Sequence, residues 1–302
     1  MAPASAPIRA LLALAVTVAL WGSAFAAIRG ALRGMNPEAL SLVRLATASA
    51  ALGVVAIWRR PRRPARGDLP RFLAVATCGM AAYQLLLNNG EVEVAAGPAS
   101  ILVNMSPIFT ALVATTLLGE RLQVPGWLGI GVSFAGASLI GLGGSAFHVQ
   151  AAALFVLAAA VAQAAFFLLQ KPLLLRYTGF DVTCWAMWLG TLLLIPVCLS
   201  DVARATLGGT SLAAAIYLGV GPSAIGFVTW AYAGARVDVS FAAALLYLTP
   251  VFAFIPAWLW LDERPALHAV IGGAVVIGGV ALVGWSRRRL GLRTTKRVDA
   301  VA

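Results

Sequence analysis

Arg44 is the residue whose chemistry is most unusual for its surroundings in this sequence. It lies inside a long apolar run, seven residues after Pro37, which is about 10 Å along a helix that begins at the proline. Charged side chains in helices that cross a bilayer are costly, and they usually face the interior of a helix bundle. We expect Arg44 either to face a cavity and hold a carboxylate or a helix C-terminus, or to form a structural contact by snorkelling or bonding to a backbone carbonyl.

Amide and aromatic side chains on other apolar runs complete a set that can hold a small molecule. Gln84 and Asn88 share one helix face, as do Gln163 and Phe167. Amides suit the charged ends of an amino acid, and aromatic faces suit its side chain or its ammonium group. The alternative for each residue is ordinary hydrogen bonding between helices. The candidate substrate-binding residues are Trp21, Arg44, Tyr83, Asn88, Asn104, Gln163, Phe167, Trp230 and Tyr247.

Patterns that serve catalysis, metal binding or ATP binding are missing from the sequence. No Asp or Glu lies in the middle of an apolar run, and His148 and His268 fall in or beside predicted loops. The segment around Ser23 lacks a Gly-x-Ser-x-Gly elbow, and no Gly-rich phosphate loop ends in Lys-Ser or Lys-Thr. We therefore predict that the protein is not an enzyme, has no catalytic residue, cofactor or metal site, and does not use ATP.

The elements that must position these residues are membrane-spanning helices. Hydrophobic residues make up 61% of the 302 residues and charged residues 11%, and the mean hydropathy is +0.91. A soluble domain has about 25% charged residues, and a spanning helix needs about 20 mostly apolar residues. The sequence predicts an all-α integral membrane protein with ten spans: 8–31, 37–58, 70–90, 97–119, 124–143, 151–171, 181–200, 211–233, 239–261 and 266–285.

The positions of the basic residues predict the topology. The formal net charge is +11. With ten spans and a cytoplasmic N-terminus, most basic residues fall in cytoplasmic segments, including 59–71 and 287–302, whereas few, such as Arg29 and Arg204, fall on the opposite side. This bias follows the positive-inside rule. We predict that both termini are cytoplasmic and that the basic residues meet lipid headgroups and not nucleic acid.

An internal repeat predicts how the spans are arranged. The segments 104–121 and 247–264 match without a gap at a distance of 143 residues, including a proline and a final Glu-Arg pair in each. We predict a first five-helix repeat at 1–145, a second at 146–286 and a basic cytoplasmic tail at 287–302. An odd number of spans in each repeat inverts the second copy, which places a central cavity near the midplane.

The matched prolines, Pro107 and Pro250, have a mechanical interpretation. A proline inside a helix removes one backbone hydrogen bond and kinks the helix. Symmetric kinks would serve as hinges for two rocking halves, or they would only give the helices a fixed curvature.

Several motifs resemble those of a known family. Trp21-Gly-Ser-Ala-Phe25, the embedded Arg44 and the stretch from Glu93 through Pro107 to Glu120-Arg121 are similar to motifs of the EamA family of the drug/metabolite transporter superfamily. The sequence departs from the family pattern at Gln163, where an aromatic residue is frequent. The resemblance implies a bacterial inner-membrane exporter of amino acids and related metabolites, as in the YddG-like aromatic amino-acid exporters.

We therefore expect a secondary transporter that exports amino acids, aromatic or broadly hydrophobic, or related small metabolites by alternating access. Its expected partners are this small-molecule substrate and membrane lipids. The alternatives are export of nucleosides, nucleotide-sugars or drug-like cations. An intramembrane enzyme is the alternative from another class, and the missing pair of nucleophile and base disfavours it.

Overall fold

All regular secondary structure that the computed structural model describes is helical. The described residues are 8–106, 108–109, 124–141, 151–205, 208–236, 246, 248–262, 266–268, 270–279, 281–282 and 285. The helices are α1 (Ile8–Ala31), α2 (Pro37–Arg59), α3 (Leu69–Ala76), α4 (Tyr83–Gly90), α5 (Ala96–Val103), α6 (Val124–Gly141), α7 (Ala151–Leu174), α8 (Gly179–Arg204), α9 (Gly209–Leu218), α10 (Gly226–Gly234), α11 (Thr249–Leu261) and α12 (Val270–Gly279).

Six helices in the described part of the chain are long and apolar enough to cross a membrane, which confirms six of the predicted spans. They are α1, α2, α7, α8 and two composite helices, Arg66–Gly90 and Gly209–Gly234. They correspond to the first three spans of each predicted repeat. Large apolar side chains on the outer surface, such as Leu192 at 61% exposure, suit a lipid environment and not water. The predicted spans 97–119 and 239–261 lie partly outside the described residues.

The two composite helices each contain a π-helical turn at matching positions of the sequence repeat. Thr77–Ala82 joins α3 to α4, and Gly219–Ile225 joins α9 to α10. A π-helical turn adds a residue to the helical turn and redirects the side chains that follow it. The shared feature shows that the repeat extends to local backbone geometry.

The second span of each repeat starts at a side-chain cap. The Asn36 side chain accepts a hydrogen bond from the Ala39 amide, and Pro37 occupies the first turn of α2. Thr178 and Asp181 form a reciprocal capping box at the start of α8. These contacts satisfy amide groups that have no partner within the helix, so both helices begin at defined residues after short connections.

The α2 and α8 helices pack against each other in opposite directions. At one end Asn36 Nδ2 donates to Asp201 Oδ1 at 2.9 Å. At the other end the Arg62 amide donates to Asp181 Oδ1 at 2.9 Å. Because the start of each helix meets the end of the other, two corresponding helices of the repeat are antiparallel.

The α6 and α12 helices approach each other through small residues. A Cβ atom at Gly136 would lie 2.7 Å from the carbonyl oxygen of Gly272, and one at Gly279 would lie 2.6 Å from that of Gly129. Gly136 and Gly279 are 143 residues apart, as are Gly129 and Gly272. The two contacts therefore correspond to each other in the sequence repeat. Only glycine permits so close an approach of the two backbones.

A polar cluster fixes the segment between α2 and α3 to the segment between α7 and α8. Arg176 Nη1 lies 2.6 Å from Asp68 Oδ1, and the Tyr177 hydroxyl donates to Asp68 Oδ2 at 2.7 Å. The same hydroxyl accepts from the Ala65 amide at 2.9 Å. Asp68 is buried, so these hydrogen bonds offset the cost of removing its carboxylate from water.

The apolar core consists of two clusters. Ile28, Leu87 and Ile101 belong to the first, while Phe72 and Phe166 belong to the second. The α1 helix contributes to both clusters along its length, so it connects them.

The close contact between α6 and α12 predicts a position-dependent effect of leucine. Gly136→Leu places a side chain against the backbone of α12, and such overpacking typically costs ~1–3 kcal/mol or more. Gly131→Leu is a matched control on the same helix, since nothing lies within 4 Å of a Cβ there. We expect the apparent melting temperature of the detergent-solubilised protein to fall by about 5 °C for Gly136→Leu and by less than about 2 °C for Gly131→Leu. Equal melting temperatures would contradict the packing.

Candidate functional site

A small cavity lies where the two apolar clusters meet. Its volume is about 30 Å³, which is room for about two water molecules. Helices from both halves of the sequence contribute to its wall. The polar lining residues are Arg44, Tyr83, Asn104, Ser106, Gln163 and Thr249, and the apolar ones are Trp21, Ala24, Phe25, Ile28, Leu87, Val103, Phe227 and Leu246.

Arg44 gives this cavity its charge. Its side chain is 3% exposed, and its Nε donates to Ser223 Oγ at 2.8 Å. Arg44 Nη1 is buried and has no hydrogen-bond partner among the described residues. Burying a cationic group without hydrogen-bond acceptors costs free energy. The cost is large when a buried charge lacks one of its partners. An anionic group in the cavity would satisfy this atom.

A second polar atom in the wall is also unsatisfied. Thr249 Oγ1 at the start of α11 is buried and has no hydrogen-bond partner in the described part of the chain. A hydroxyl can donate to an anion or accept from an ammonium group. Together with Arg44 Nη1, it marks the cavity as a place where a polar ligand would complete the hydrogen bonding.

Two amide side chains add further polar character to the wall. Asn104 follows the last residue of α5, and its Nδ2 donates to the Ser100 carbonyl at 2.8 Å. That bond fixes the orientation of the amide. Gln163 lies in the middle of α7 and is 7% exposed. Both amides can donate and accept, so they suit either end of a zwitterion.

Aromatic rings form part of the cavity wall and pack against further rings beside it. Trp21 lies 5.1 Å from Phe227 and 5.4 Å from Trp230, measured between ring centroids. Phe167 lies 5.0 Å from Trp230, and Phe166 lies 5.6 Å from Phe227. We call these five residues the aromatic cluster. Tilted and edge-to-face ring pairs at such distances stabilise packing beyond their buried area.

The predicted binding residues fall into three groups. Trp21, Arg44, Tyr83, Asn104 and Gln163 line the cavity. Phe167 and Trp230 stand behind the lining in the aromatic cluster. Asn88 lies away from the cavity wall, where its Nδ2 donates to Ser41 Oγ at 2.8 Å. Tyr247 lies outside the described residues.

The structure describes only one of the two predicted hinges. Pro107 lies outside the described residues. Pro250 lies in the first turn of α11, where a proline removes no hydrogen bond from the helix, and Pro256 lies further inside. A hinge at either predicted position therefore stays a prediction.

Sequence reasoning missed Ser223, Phe227 and Thr249 as site residues. Ser223 follows Pro222 in an apolar run, and a hydroxyl beside an intrahelical proline is a signal that could have been used. Phe227 carries no such signal because aromatic residues are common on lipid-facing surfaces too. Only the packing of the Gly209–Gly234 helix against α1 brings it to the cavity.

Comparisons with known proteins agree with this architecture. The sequence profile of the EamA-like transporter family matches residues 8–142 and again 150–285. A protein of Streptantibioticus cattleyicolor, named a probable terminal-alkyne amino-acid exporter, is 46% identical over 94% of this chain and 96% of its own length. The uncharacterized transporter YdfC of Bacillus subtilis is 34% identical over 90% of each chain.

The fold also has a counterpart among solved structures. One crystal structure matches with a TM-score of 0.67 and 21% sequence identity, covering 93% of this chain and 98% of the other. Both relatives described above are named as a transporter or an exporter. This chain therefore belongs to the EamA-like transporter family, and it is a multi-pass membrane protein that transports a solute and not an enzyme.

Proposed function

We propose that this protein exports amino acids with apolar side chains across the bacterial inner membrane. The observation that carries the proposal is the unsatisfied Arg44 Nη1 in a cavity that also presents aromatic faces. The carboxylate of an amino acid would pair with the guanidinium group through charge-assisted hydrogen bonds. Its side chain would lie against Trp21, Phe25 and Phe227, which line the same cavity.

The charge of the cavity wall indicates which of the alternative cargoes the cavity would favour. The described lining contains the cation of Arg44 and no Asp or Glu. A drug-like cation would be repelled by Arg44, and the lining offers it no carboxylate. A nucleoside offers the guanidinium group only neutral acceptors, whereas a carboxylate forms stronger, charge-assisted hydrogen bonds with it. The wall favours a cargo with a carboxylate.

The relative from Streptantibioticus cattleyicolor supports a cargo with a slim apolar side chain. It is named a probable terminal-alkyne amino-acid exporter and is 46% identical to this chain. A linear unsaturated side chain is slim and apolar, so it would lie against the Trp21 and Phe227 rings that line the cavity. We therefore propose short linear amino acids as the first cargo to test, with aromatic amino acids next.

An inverted five-plus-five arrangement of spans, with both termini cytoplasmic, is part of the proposal. The antiparallel packing of α2 against α8 supports it, and so do the matched glycine contacts between α6 and α12. Two antiparallel copies form a site between them that can open to either side in turn. The basic residues near the ends of the spans support the orientation.

The small size of the cavity and the aromatic cluster beside it support a mechanism of alternating access. A volume of about 30 Å³ is smaller than any amino acid needs, so the wall must open for loading. Phe167 lies one helical turn before Lys171 in α7, and Trp230 lies six residues before Arg236. The positive-inside rule therefore supports a cytoplasmic location of the aromatic cluster. We propose that this cluster is the cytoplasmic gate.

The gate is not repeated on the other side. In the 143-residue register, Trp230 corresponds to Leu87 and Phe227 to Gln84. Contacts between aromatic rings on the cytoplasmic side, with an aliphatic and an amide side chain opposite, would stabilise cytoplasmic closure more than external closure. An exporter with this difference would rest with its cytoplasmic side closed.

Removing the charge of Arg44 should abolish recognition of the carboxylate. In liposomes that contain the purified protein, Arg44→Gln should lower the flux of labelled propargylglycine by at least about tenfold, because a hydrogen-bonded charge pair is lost. Arg71→Gln is the matched control, since Arg71 is exposed and lies far from the cavity lining. Its flux should equal that of the wild type.

The outcome that contradicts the proposed function is specific. If Arg44→Gln folds and transports propargylglycine at the wild-type rate, Arg44 does not hold the cargo. If the wild type transports none of a panel of short, branched and aromatic amino acids, amino-acid export itself is excluded.

The cytoplasmic gate predicts a change in accessibility. Cys78, Cys184 and Cys198 are first replaced by serine. Ala24→Cys then introduces a single cysteine into the cavity wall, where its labelling reports on access to the cavity. The double variant Phe167→Ala/Trp230→Ala should speed its labelling by an impermeant maleimide in inside-out vesicles by about tenfold, because several ring contacts are lost.

The control for the gate is Trp258→Ala, since Trp258 is 57% exposed on the outer surface. It should leave the labelling rate unchanged. Equal labelling rates in the gate variant and the wild type would show that the aromatic cluster does not close the cytoplasmic side.

A further inference from the structure

The π-helical turn Gly219–Ile225 contacts two residues of the cavity wall. Ser223 Oγ accepts a hydrogen bond from Arg44 Nε at 2.8 Å. The carbonyl oxygen of Pro222 accepts a hydrogen bond from Trp21 Nε1 at 3.1 Å. Ser223 is fully buried. One turn of backbone thus holds both the charged and the aromatic part of the proposed site.

The sequence of this segment explains why it can do so. Pro222 has no amide hydrogen, and the wider turn frees carbonyl groups for partners outside the helix. Gly219 lets α2 approach, since a Cβ there would lie 2.7 Å from the Arg44 carbonyl oxygen. Gly226 makes room for the indole, since a Cβ there would lie 2.7 Å from Trp21 Nε1.

We infer that Ser223 is a positioning residue that sets the direction of the Arg44 guanidinium group; this inference rests on the proposed function. A guanidinium group is planar and rigid, so a hydrogen bond at Nε fixes the plane in which Nη1 lies. Arginine otherwise has many rotamers, and ordering it when the cargo binds would weaken binding. Ser223 orders the side chain beforehand and keeps Nη1 available for a carboxylate.

The corresponding position in the first repeat indicates that the hydroxyl group of Ser223 is not needed for folding of the π-helical turn. The position that corresponds to Ser223 in the first repeat is Met80, which lies in the matching π-helical turn and packs against Gly190. A methionine sulfur is only a weak acceptor. The turn therefore forms without a hydroxyl at this position, and the hydroxyl is present only where Arg44 needs an acceptor.

The test compares two ligands that differ by one group. Binding of propargylglycine to the full-length protein in detergent is measured beside binding of the amine that remains when its carboxyl group is removed. Ser223→Ala should weaken binding of the amino acid by about tenfold, as for a lost hydrogen bond to a charged group. Binding of the amine should change by less than about twofold, because the amine makes no contact with Arg44.

Further variants keep the test decisive. Ser223→Cys nearly keeps the size of the side chain, but a thiol is a poor hydrogen-bond acceptor. We therefore expect its binding of both ligands to match that of Ser223→Ala. It replaces the alanine variant in the test if Ser223→Ala does not fold. In an Arg44→Gln background, Ser223→Ala should have no further effect, since Ser223 acts through Arg44. Met80→Ala is the matched control in the first repeat and should bind both ligands like the wild type.

Each contrary result has one meaning. Wild-type binding of propargylglycine by both Ser223 variants would overturn the positioning role while leaving the proposed function intact, provided that Arg44→Gln weakens binding. Equal losses for the amino acid and the amine would assign Ser223 to packing and also overturn the role. Unchanged binding in Arg44→Gln would instead overturn the proposed function.

Discussion

One buried guanidinium group in an apolar bundle is the constraint on which the rest of this structure depends. Arg44 is 3% exposed and keeps one nitrogen without a hydrogen-bond partner among the described residues. A buried charge in such surroundings is expensive, so it persists only where something offsets the cost. Ser223 offsets part of it. In our account, the carboxylate of the transported solute offsets the remainder, which links binding to stabilisation of the site.

The duplicated architecture provides the frame for that charge, while differences between the copies provide the chemistry. The copies share a π-helical turn and a close glycine contact, which set the backbone geometry. They differ at Ser223 and Met80, and at Trp230 and Leu87. The first difference gives one polar anchor beside Arg44. In the second difference, Trp230 belongs to the aromatic cluster whereas Leu87 is aliphatic, so the two closed states that we propose are unequal in energy.

Hydropathy and periodicity predicted the six confirmed spans because long apolar helices leave a strong local signal. The burial of Arg44 followed from the cost of a charge in an apolar run. Asn88 had the same kind of signal, yet it bonds to Ser41 away from the cavity wall. The spacing of residues within one helix does not show which neighbouring helix a given side chain faces. Ser223 reaches Arg44 across 179 residues of sequence, so only helix packing reveals that pair.

We propose that the cavity recognises its cargo through a carboxylate. Competition against labelled propargylglycine in liposomes that contain the wild-type protein tests this most directly, with unlabelled propargylglycine and its methyl ester as competitors. The ester keeps the side chain and the amine but has no anionic group for Arg44. We expect the free amino acid to compete at least about tenfold more strongly than the ester, because only the free amino acid can pair with the guanidinium group. Equal competition by the ester would contradict it.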